Sequence, residues 1–228
     1  MIEKTLIAAV RRELRAASDP SRAPAMQAYM KSAMPYYGVG APEQQRIWTK
    51  VFRKRSLTDA ESWRDTTLAL WRGARFREER YGALALTGDR AYLEYQTLDT
   101  IPMYEEMIVT GAWWDYVDHI ASRRIGPLLR SYPRPMSRLM RRWSRSEDMW
   151  KRRTAILSQL GFKQATDLDL LYACIEPNLA DHEFFIRKAI GWALRQYAWT
   201  NPTAVRRYVR AHEAELSSLS RREAMKNI

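Results

Sequence analysis

The stretches Thr154-Ala155-Ile156 and Lys188-Ala189-Ile190, 34 residues apart, carry the pattern that decides the fold. Each sets an alanine between larger residues, in a segment whose apolar side chains recur at helical spacing. The pattern occurs five times, at intervals of 38, 34, 34 and 35 residues between the central alanines: Ala83, Ala121, Ala155, Ala189 and Ala224. A period of this length with two helices per unit is typical of HEAT and armadillo repeats. We therefore predict an all-α fold, an α-solenoid of HEAT-like helical repeats with a concave surface that one basic helix per repeat would line with positive charge.

The composition and the helix-start signals agree with an all-α chain. Among 228 residues there are 28 Ala and 21 Leu but 7 Val, and Gly and Pro together number 19, a balance that favours helices over strands. Thr58-Asp59-Ala60-Glu61 and Ser220-Arg221-Arg222-Glu223 match capping boxes, so helices are predicted to begin after Thr58 and Ser220. Asn201-Pro202 predicts a third start, with the proline at the first helical position.

The charge pattern indicates a polyanionic partner. The formal net charge is +12, and arginine outnumbers lysine 30 to 8, which matters because the planar guanidinium can bind phosphate through two hydrogen bonds. Residues 121–153 hold eleven basic side chains against two acidic ones, so this segment carries +9 of the total. Nucleic acid and an anionic membrane both fit such a patch, and so does a solvated helix face without a partner.

Several other classes of protein are excluded by what the sequence lacks. No uncharged run is long enough to span a bilayer, and the charged start Met1-Ile2-Glu3-Lys4 does not match a signal peptide. We therefore expect a cytoplasmic protein without a membrane partner. The single cysteine, Cys174, permits no internal disulfide and is expected to be a core residue. The three histidines show no metal-ligand spacing, and no glycine-rich phosphate loop occurs, so we expect no metal and no cofactor.

The remaining candidate for chemistry is the segment Trp113-Trp114-Asp115-Tyr116-Val117-Asp118. On a helix, Trp114 and Asp118 are four residues apart and lie one above the other. One interpretation is structural: Asp118 pairs with an arginine such as Arg123 or Arg153. The other is functional, because an indole face and a carboxylate together stabilise positive charge. A carboxylate on a DNA-binding surface makes sense if a cation develops during a reaction.

The sequence resembles the AlkD-like branch of the HEAT-like repeat DNA glycosylases, the DNA alkylation repair enzymes. The resemblance runs over nearly the whole chain. It rests most on Trp113-Trp114-Asp115 followed by Val117-Asp118, and on Lys188-Ala189-Ile190-Gly191-Trp192. Further matching stretches are Ala28-Tyr29-Met30-Lys31, Ile108-Val109-Thr110, Trp150 with Arg153, Glu183-Phe184-Phe185-Ile186, Thr200-Asn201-Pro202 and Arg222-Glu223-Ala224.

The resemblance implies one domain over residues 1–228, a monomer, that binds duplex DNA containing alkylated purines. It implies hydrolysis of the N-glycosidic bond of cationic N3- and N7-alkylpurines. By motif, the catalytic residues are Asp118, Trp114 and Arg153, and the family's remaining pocket aromatics match Trp192 and Tyr29. DNA contacts are expected from Lys188 of a matching motif and from four arginines of the basic run between residues 121 and 153: Arg152, Arg141, Arg142 and Arg145.

The chemistry agrees with this implication. An N3- or N7-alkylpurine is already cationic and needs no general acid to leave, and Asp118 would face the oxocarbenium-like sugar. His119 follows Asp118 on the helix and is rotated from it by about 100°, so it is expected to turn away from Trp114. Two other function classes stay open: a non-catalytic DNA-binding or scaffold solenoid, and a binder of RNA or acidic proteins.

Overall fold

The computed structural model describes residues 1–54 and 57–228, and all regular secondary structure in these ranges is helical. Fourteen α-helices lie there: α1 (Lys4–Ala16), α2 (Ala23–Met30), α3 (Ala41–Phe52), α4 (Ala60–Arg72), α5 (Arg77–Leu86), α6 (Ile101–Gly111), α7 (Trp114–Ile120), α8 (Gly126–Ser131), α9 (Pro133–Trp143), α10 (Met149–Leu157), α11 (Leu168–Ile175), α12 (Phe184–Ala198), α13 (Pro202–Ala211) and α14 (Ser218–Ala224). A π-helical turn, Ala121–Ile125, joins α7 to α8. Short 3-10 turns occupy Arg90–Tyr95, Leu98–Thr100, Lys163–Ala165 and Glu176–Asn178. The predicted all-α class is confirmed. None of the described helices combines the length and the apolar composition that a membrane span needs.

The chain divides into two compact units, Met1–Met103 and Tyr104–Ile228. In the first unit α1, α3, α4 and α5 pack against one another, and the indoles of Trp63 and Trp71 are buried there. That residues 1–228 act as one domain stays a prediction.

The loop before α3 is anchored by a buried carboxylate of the first unit. Glu78 on α5 accepts hydrogen bonds from the backbone N–H groups of Tyr37, Gly38 and Val39 at 3.0, 3.0 and 3.1 Å. Burial raises the pKa of Glu78, and these donors counteract the shift. Helix α2, which precedes this loop, carries Tyr29 with 79% of its surface exposed. Tyr29, which the resemblance predicts to be a pocket aromatic, is therefore exposed to solvent on the helix that precedes this anchored loop.

The second unit consists of two helical layers. The first layer contains, in packing order, the continuous rod of α7, the π-helical turn and α8, followed by α10, α12 and α14. The second layer contains α9, α11 and α13: α9 packs on α11, and Tyr172 of α11 stacks on Tyr208 of α13 with 4.2 Å between ring centroids. Helices α9 and α11 also pack on α10, and α13 packs on α12. The hydrophobic core lies between the layers.

The alanine repeat marks the first layer. Ala121, Ala155, Ala189 and Ala224 lie on the π-helical turn, α10, α12 and α14, and each is at most 2% exposed. Ala83, on α5 of the first unit, is buried as well. A small side chain at the contact lets successive helices approach closely, because the distance between helix axes depends on the side chains between them. The predicted repeat, and with it the HEAT-like solenoid class, is confirmed.

The N-caps of α13 and α4 test two of the predicted helix starts. Asn201 caps α13 as predicted, because its side-chain oxygen accepts the backbone N–H of Ala204 at 2.9 Å. The prediction for α4 is wrong by one residue. Asp59, not Thr58, accepts the backbone N–H of Ser62 at 2.7 Å, and a carboxylate also interacts favourably with the positive end of the helix dipole.

The prediction of a start after Ser220 is wrong. Helix α14 begins at Ser218 and is capped by Ser217, whose hydroxyl accepts the backbone N–H of Ser220 at 3.0 Å. Ser220 is itself buried and donates its hydroxyl to the carbonyl oxygen of Arg187 on α12 at 2.9 Å. The serine therefore serves the contact between α14 and α12 instead of a cap.

Cys174 is buried on α11, as predicted for a core residue. Burial raises the pKa of its thiol to about 12. The side chain therefore behaves as a small hydrophobic group, since the reactive thiolate is strongly disfavoured.

Helix α12 approaches α14 closely at Gly191. A Cβ atom at this position would lie 2.5 Å from Cβ of Glu223 and 2.8 Å from the carbonyl oxygen of Ser220. Neither atom is the far end of a flexible side chain, so a larger residue must push the helices apart.

We expect Gly191→Ala to lower the free energy of unfolding by about 1–3 kcal/mol, the usual cost of overpacking. Part of that cost is offset by the higher helix propensity of alanine, worth about 1 kcal/mol. Urea denaturation followed by circular dichroism measures the change. Thr203→Ala, at an exposed position of α13, is the control and should stay within about 0.5 kcal/mol of the wild type. Equal stability of the two variants would contradict the close approach.

Candidate active site

The tryptophan-rich segment opens the rod of the first layer. Helix α7 begins at Trp114, and Trp113 precedes it with extended backbone as the N-cap residue. Val117 and Ile120 are buried and face the core, whereas Trp113 is half-buried. Trp114 and Asp118 are also half-buried and lie one turn apart on the helix. The helix therefore presents an indole and a carboxylate side by side at the edge of the core.

Asp118 forms a bidentate ion pair with Arg153 of α10. Arg153 Nε donates to Oδ1 of Asp118 at 2.7 Å, and Nη2 donates to Oδ2 at 2.8 Å. The arginine side chain is 4% exposed and the aspartate side chain 14%. The pairing that the structural interpretation expected is present, and the carboxylate keeps the greater access to solvent.

The third nitrogen of Arg153 connects the pair to α12. Nη1 donates to the carbonyl oxygen of Phe185, and the guanidinium carbon lies 5.8 Å from the centroid of the Phe185 ring. Trp113 and Trp150 pack on the same ring, with centroid distances of 5.5 and 5.1 Å. One guanidinium therefore ties together α7, α10 and α12, and the aromatic side chains fix its position.

Two opposing effects act on the protonation of Asp118. Burial raises the pKa of Asp118 above its ordinary value, and the hydrogen bonds and charge of Arg153 act in the other direction. With two charge-assisted donors on its oxygens, the carboxylate is ionised near neutral pH. Because the pKa is raised, it accepts a proton at a higher pH than a solvent-exposed aspartate does.

Trp192 lies in the same layer as Asp118, on α12. It follows Phe185 by two helical turns and is half-buried, whereas Ala189 between them is buried. Phe185, Ala189 and Trp192 therefore form a stripe along the border between the core and the layer surface. Trp192 also lines a cavity together with residues of the π-helical turn.

Two of the predicted DNA contacts already have protein partners. Arg152 Nη2 donates to Asp181 at 2.9 Å, and its Nη1 donates to two backbone carbonyls of the preceding turn. Lys188 Nζ lies 2.8 Å from a carboxylate oxygen of Glu223. These pairs give both residues a role within the fold, and their contact with DNA stays a prediction.

The predicted cluster of Arg141, Arg142 and Arg145 lies on α9 and just after it, in the second layer. All three side chains are exposed, and none has an acidic partner among the described residues. The opposite face of α9 is buried through Met136, Met140 and Trp143. The structure therefore places this cluster on a different layer from Asp118, and its role in DNA binding stays a prediction.

His119 lies against Arg124 of the π-helical turn. The two side chains are 3.3 Å apart between Nε2 and Nη2. Burial, followed by the positive charges of Arg124 and Arg123, lowers the pKa of His119 to about 4. At neutral pH the imidazole is therefore uncharged and cannot act as an acid. Among the described residues, no three His, Cys, Asp or Glu side chains are grouped as a metal site requires.

Fold and site together define a class: a helical-repeat protein whose repeat layer holds a partly accessible carboxylate beside tryptophans. The sequence profile of the DNA alkylation repair enzyme family matches residues 10–228, so the chain belongs to that family. A solved structure described as a "Predicted DNA alkylation repair enzyme from Enterococcus faecalis" is 30% identical, with a TM-score of 0.84 over 92% of this chain and 96% of that one. No curated protein matches the sequence.

We expect Arg153→Gln to destabilise the protein by about 1–3 kcal/mol at pH 8, because an ionised, half-buried carboxylate loses its donors. Without Arg153 the folded-state pKa of Asp118 rises further above the unfolded value of about 3.9. The charge-related part of the deficit relative to the wild type is then present above the folded-state pKa of Asp118 in the variant. It disappears as the pH falls below the folded-state pKa of Asp118 in the wild type.

Chemical denaturation between pH 5 and 8 measures this dependence. The control is the double variant Asp118→Asn/Arg153→Gln, compared with the Asp118→Asn single variant. Neither protein has the Asp118 carboxylate, so the difference between their free energies of unfolding should not show this pH dependence. A deficit of Arg153→Gln that does not change with pH would show that Asp118 is not held by the arginine charge.

Proposed function

We propose that this protein is a DNA glycosylase that hydrolyses the N-glycosidic bond of cationic N3- and N7-alkylated purines in duplex DNA. The observation that carries the proposal is the Asp118 carboxylate, held by Arg153 at 2.7 and 2.8 Å and still 14% exposed beside Trp114. Membership of the DNA alkylation repair enzyme family supports alkylated DNA as the substrate.

The proposed reaction uses the charge that the damaged base already carries. As the bond between C1′ and the purine nitrogen breaks, its electron pair moves to the purine and neutralises the ring. The sugar becomes oxocarbenium-like, and Asp118 stabilises that positive charge. A water oriented by the same carboxylate attacks C1′ and loses its proton to solvent, leaving an abasic site and a free neutral base.

The ion pair with Arg153 gives Asp118 a fixed direction. A charge that is already in position does not have to reorganise when the transition state forms, which is why such groups contribute strongly to catalysis. Arg153 has its three guanidinium nitrogens on Asp118 and Phe185. We therefore assign it the role of positioning the carboxylate.

The aromatic residues would bind the cationic nucleotide. Trp114 is one turn from Asp118, and Trp192 lies on α12 in the same layer. An indole face attracts a cation within about 6 Å of its centroid, and the two indoles would also exclude water from the cleaving bond. For Tyr29 the assignment rests on the resemblance and on its exposure.

A non-catalytic DNA-binding protein is the second candidate. It is favoured by one observation: the exposed arginines of α9 would attract duplex DNA whether or not Asp118 has any chemical role. The same arginines would also attract RNA or acidic proteins. Incubation with methylated duplex DNA separates the candidates, because only the glycosylase releases 3-methyladenine and 7-methylguanine.

We expect Asp118→Asn to lower the single-turnover rate of base release by about 10²-fold or more, the effect of losing one preorganised electrostatic group. The amide keeps the size and hydrogen bonding of the carboxylate but cannot stabilise the sugar cation. DNA affinity, measured by fluorescence anisotropy, should hold or rise slightly because a negative charge is removed. Asp115→Asn, on the same helix, is the control. Near wild-type excision by Asp118→Asn would refute the catalytic assignment.

We expect little or no release of uracil or hypoxanthine, and efficient release of 7-methylguanine and 3-methyladenine. A neutral lesion leaves as an anion unless an acid protonates it, and the pKa of His119, lowered to about 4, makes that residue unsuitable. Chromatography of the free bases released from matched duplexes measures the ratio. Robust excision of uracil would show an acid-assisted mechanism instead.

A further inference from the structure

A basic cavity adjoins the candidate active site in the first layer. It has a volume of about 690 Å³ and lies between the π-helical turn, α12 and the loop that follows α10. The six side chains that matter for its chemistry are Ser122, Arg123, Arg124, Arg130, Trp192 and Gln196. The lining formed by the described residues contains three arginines and no Asp or Glu. The cavity therefore favours an anion.

The π-helical turn shapes one wall of the cavity. Ala121–Ile125 inserts this wider turn into the rod directly after α7, and π-turns of this kind are frequent at functional sites. The rod also comes close to the end of α10, because a Cβ on Gly126 would lie 2.8 Å from the carbonyl oxygen of Ser158. The local geometry brings Arg123 and Arg124, which are adjacent in sequence, to the same cavity.

Two arginines of the cavity contact neutral groups. Arg124 donates to the carbonyl oxygen of Arg123 at 2.8 Å and lies against the uncharged imidazole of His119. The guanidinium of Arg130 stacks 4.1 Å from the ring centroid of Phe162 and donates to the carbonyl oxygen of Gly161 at 3.3 Å. These contacts fix the direction of the guanidinium groups, and the described lining supplies no carboxylate to balance the charge of Arg130.

The cavity is one helical turn from the proposed catalytic carboxylate. The Ser122 hydroxyl donates to the backbone carbonyl of Asp118 at 2.7 Å, so the residue on the cavity wall follows Asp118 by about 6 Å along the rod. Trp192 lines the cavity and also lies two turns from Phe185, which binds Arg153. A ligand group in the cavity would therefore be next to whatever Asp118 acts on.

From this geometry we infer that the cavity binds a backbone phosphate of the DNA strand, next to the nucleotide whose base is released. Arg123 and Arg130 would compensate its charge, with Ser122 and Gln196 as further hydrogen-bond donors and Trp192 against the adjoining sugar. The inference rests on the proposed function, because the neighbouring nucleotide is the substrate. The bound phosphate would fix the position of the DNA strand relative to Asp118.

Replacement of single phosphates tests the inference. The substrate is a duplex with one 7-methylguanine and one neutral methylphosphonate, moved in turn through the linkages around the lesion. One linkage should lower the wild-type single-turnover rate by about 10- to 100-fold, since a hydrogen bond to a charged group contributes about 1.5–3 kcal/mol. Arg123→Gln/Arg130→Gln should show a similar loss with normal DNA and no further loss at that linkage.

A charge-matched control separates this local effect from general attraction. Arg141→Gln/Arg142→Gln also removes two positive charges, but from α9 in the second layer. It should keep the full sensitivity at the critical linkage. These two arginines could still bind the duplex elsewhere. In that case the slope of log affinity against log salt concentration should decrease in magnitude by about 0.9 for each phosphate that the variant no longer neutralises. Melting temperatures within the wild-type range confirm that both variants are folded.

Two results would overturn the inference: no linkage that is more sensitive than the others, or an unchanged linkage profile in Arg123→Gln/Arg130→Gln. Failure of the proposed function gives a different result, namely no base release by the wild type from any duplex. In that case the same methylphosphonate series is measured by equilibrium binding to a duplex carrying 2′-fluoro-7-methylguanosine, which resists cleavage. A single critical linkage that disappears in the variant would still support the cavity as a phosphate site.

Discussion

The guanidinium of Arg153 is the interaction on which the second unit depends. Its nitrogens bind both oxygens of Asp118 and the carbonyl oxygen of Phe185, so a single side chain joins α7, α10 and α12. A charge that is 4% exposed is stable only when such partners replace water. The position of the carboxylate is therefore fixed by the packing of three helices. In any reaction at Asp118, the carboxylate is already oriented.

The repeat explains why residues so distant in sequence meet at this point. A small residue recurs about every 35 positions, and the helices that carry Ala121, Ala155 and Ala189 stack side by side in one layer. Three residues before Ala121 stands Asp118, and two before Ala155 stands Arg153. The repeat that builds the core thus also sets the register of the ion pair, because nearly equivalent positions on adjacent helices lie next to each other.

Sequence reasoning predicted the features that depend on local spacing or on burial. The alanine period, the Asn201 cap and the interpretation that Asp118 pairs with an arginine such as Arg153 follow from such rules, and the structure agrees with each. It differs where two local options compete or where distant segments converge. Asp59 displaced Thr58 as a cap, and Ser220 bonds to α12 instead of capping α14. The basic cavity could not be predicted, because a π-helical turn and the loop after α10 form its walls.

The arginine-rich segment also shows why a charge count does not define a surface. Residues 121–153 form one run in the sequence, yet the fold sends Arg123, Arg124 and Arg130 to the cavity of the first layer and Arg141 and Arg142 to α9 of the second. Exposed charges act over about 8–10 Å at physiological salt and attract a polyanion without orienting it. A guanidinium group that is stacked on an aromatic ring, as Arg130 is on Phe162, can instead position one phosphate. In the proposed enzyme the same residue type therefore serves both to attract DNA and to align it, and the layer on which an arginine lies decides which task it performs.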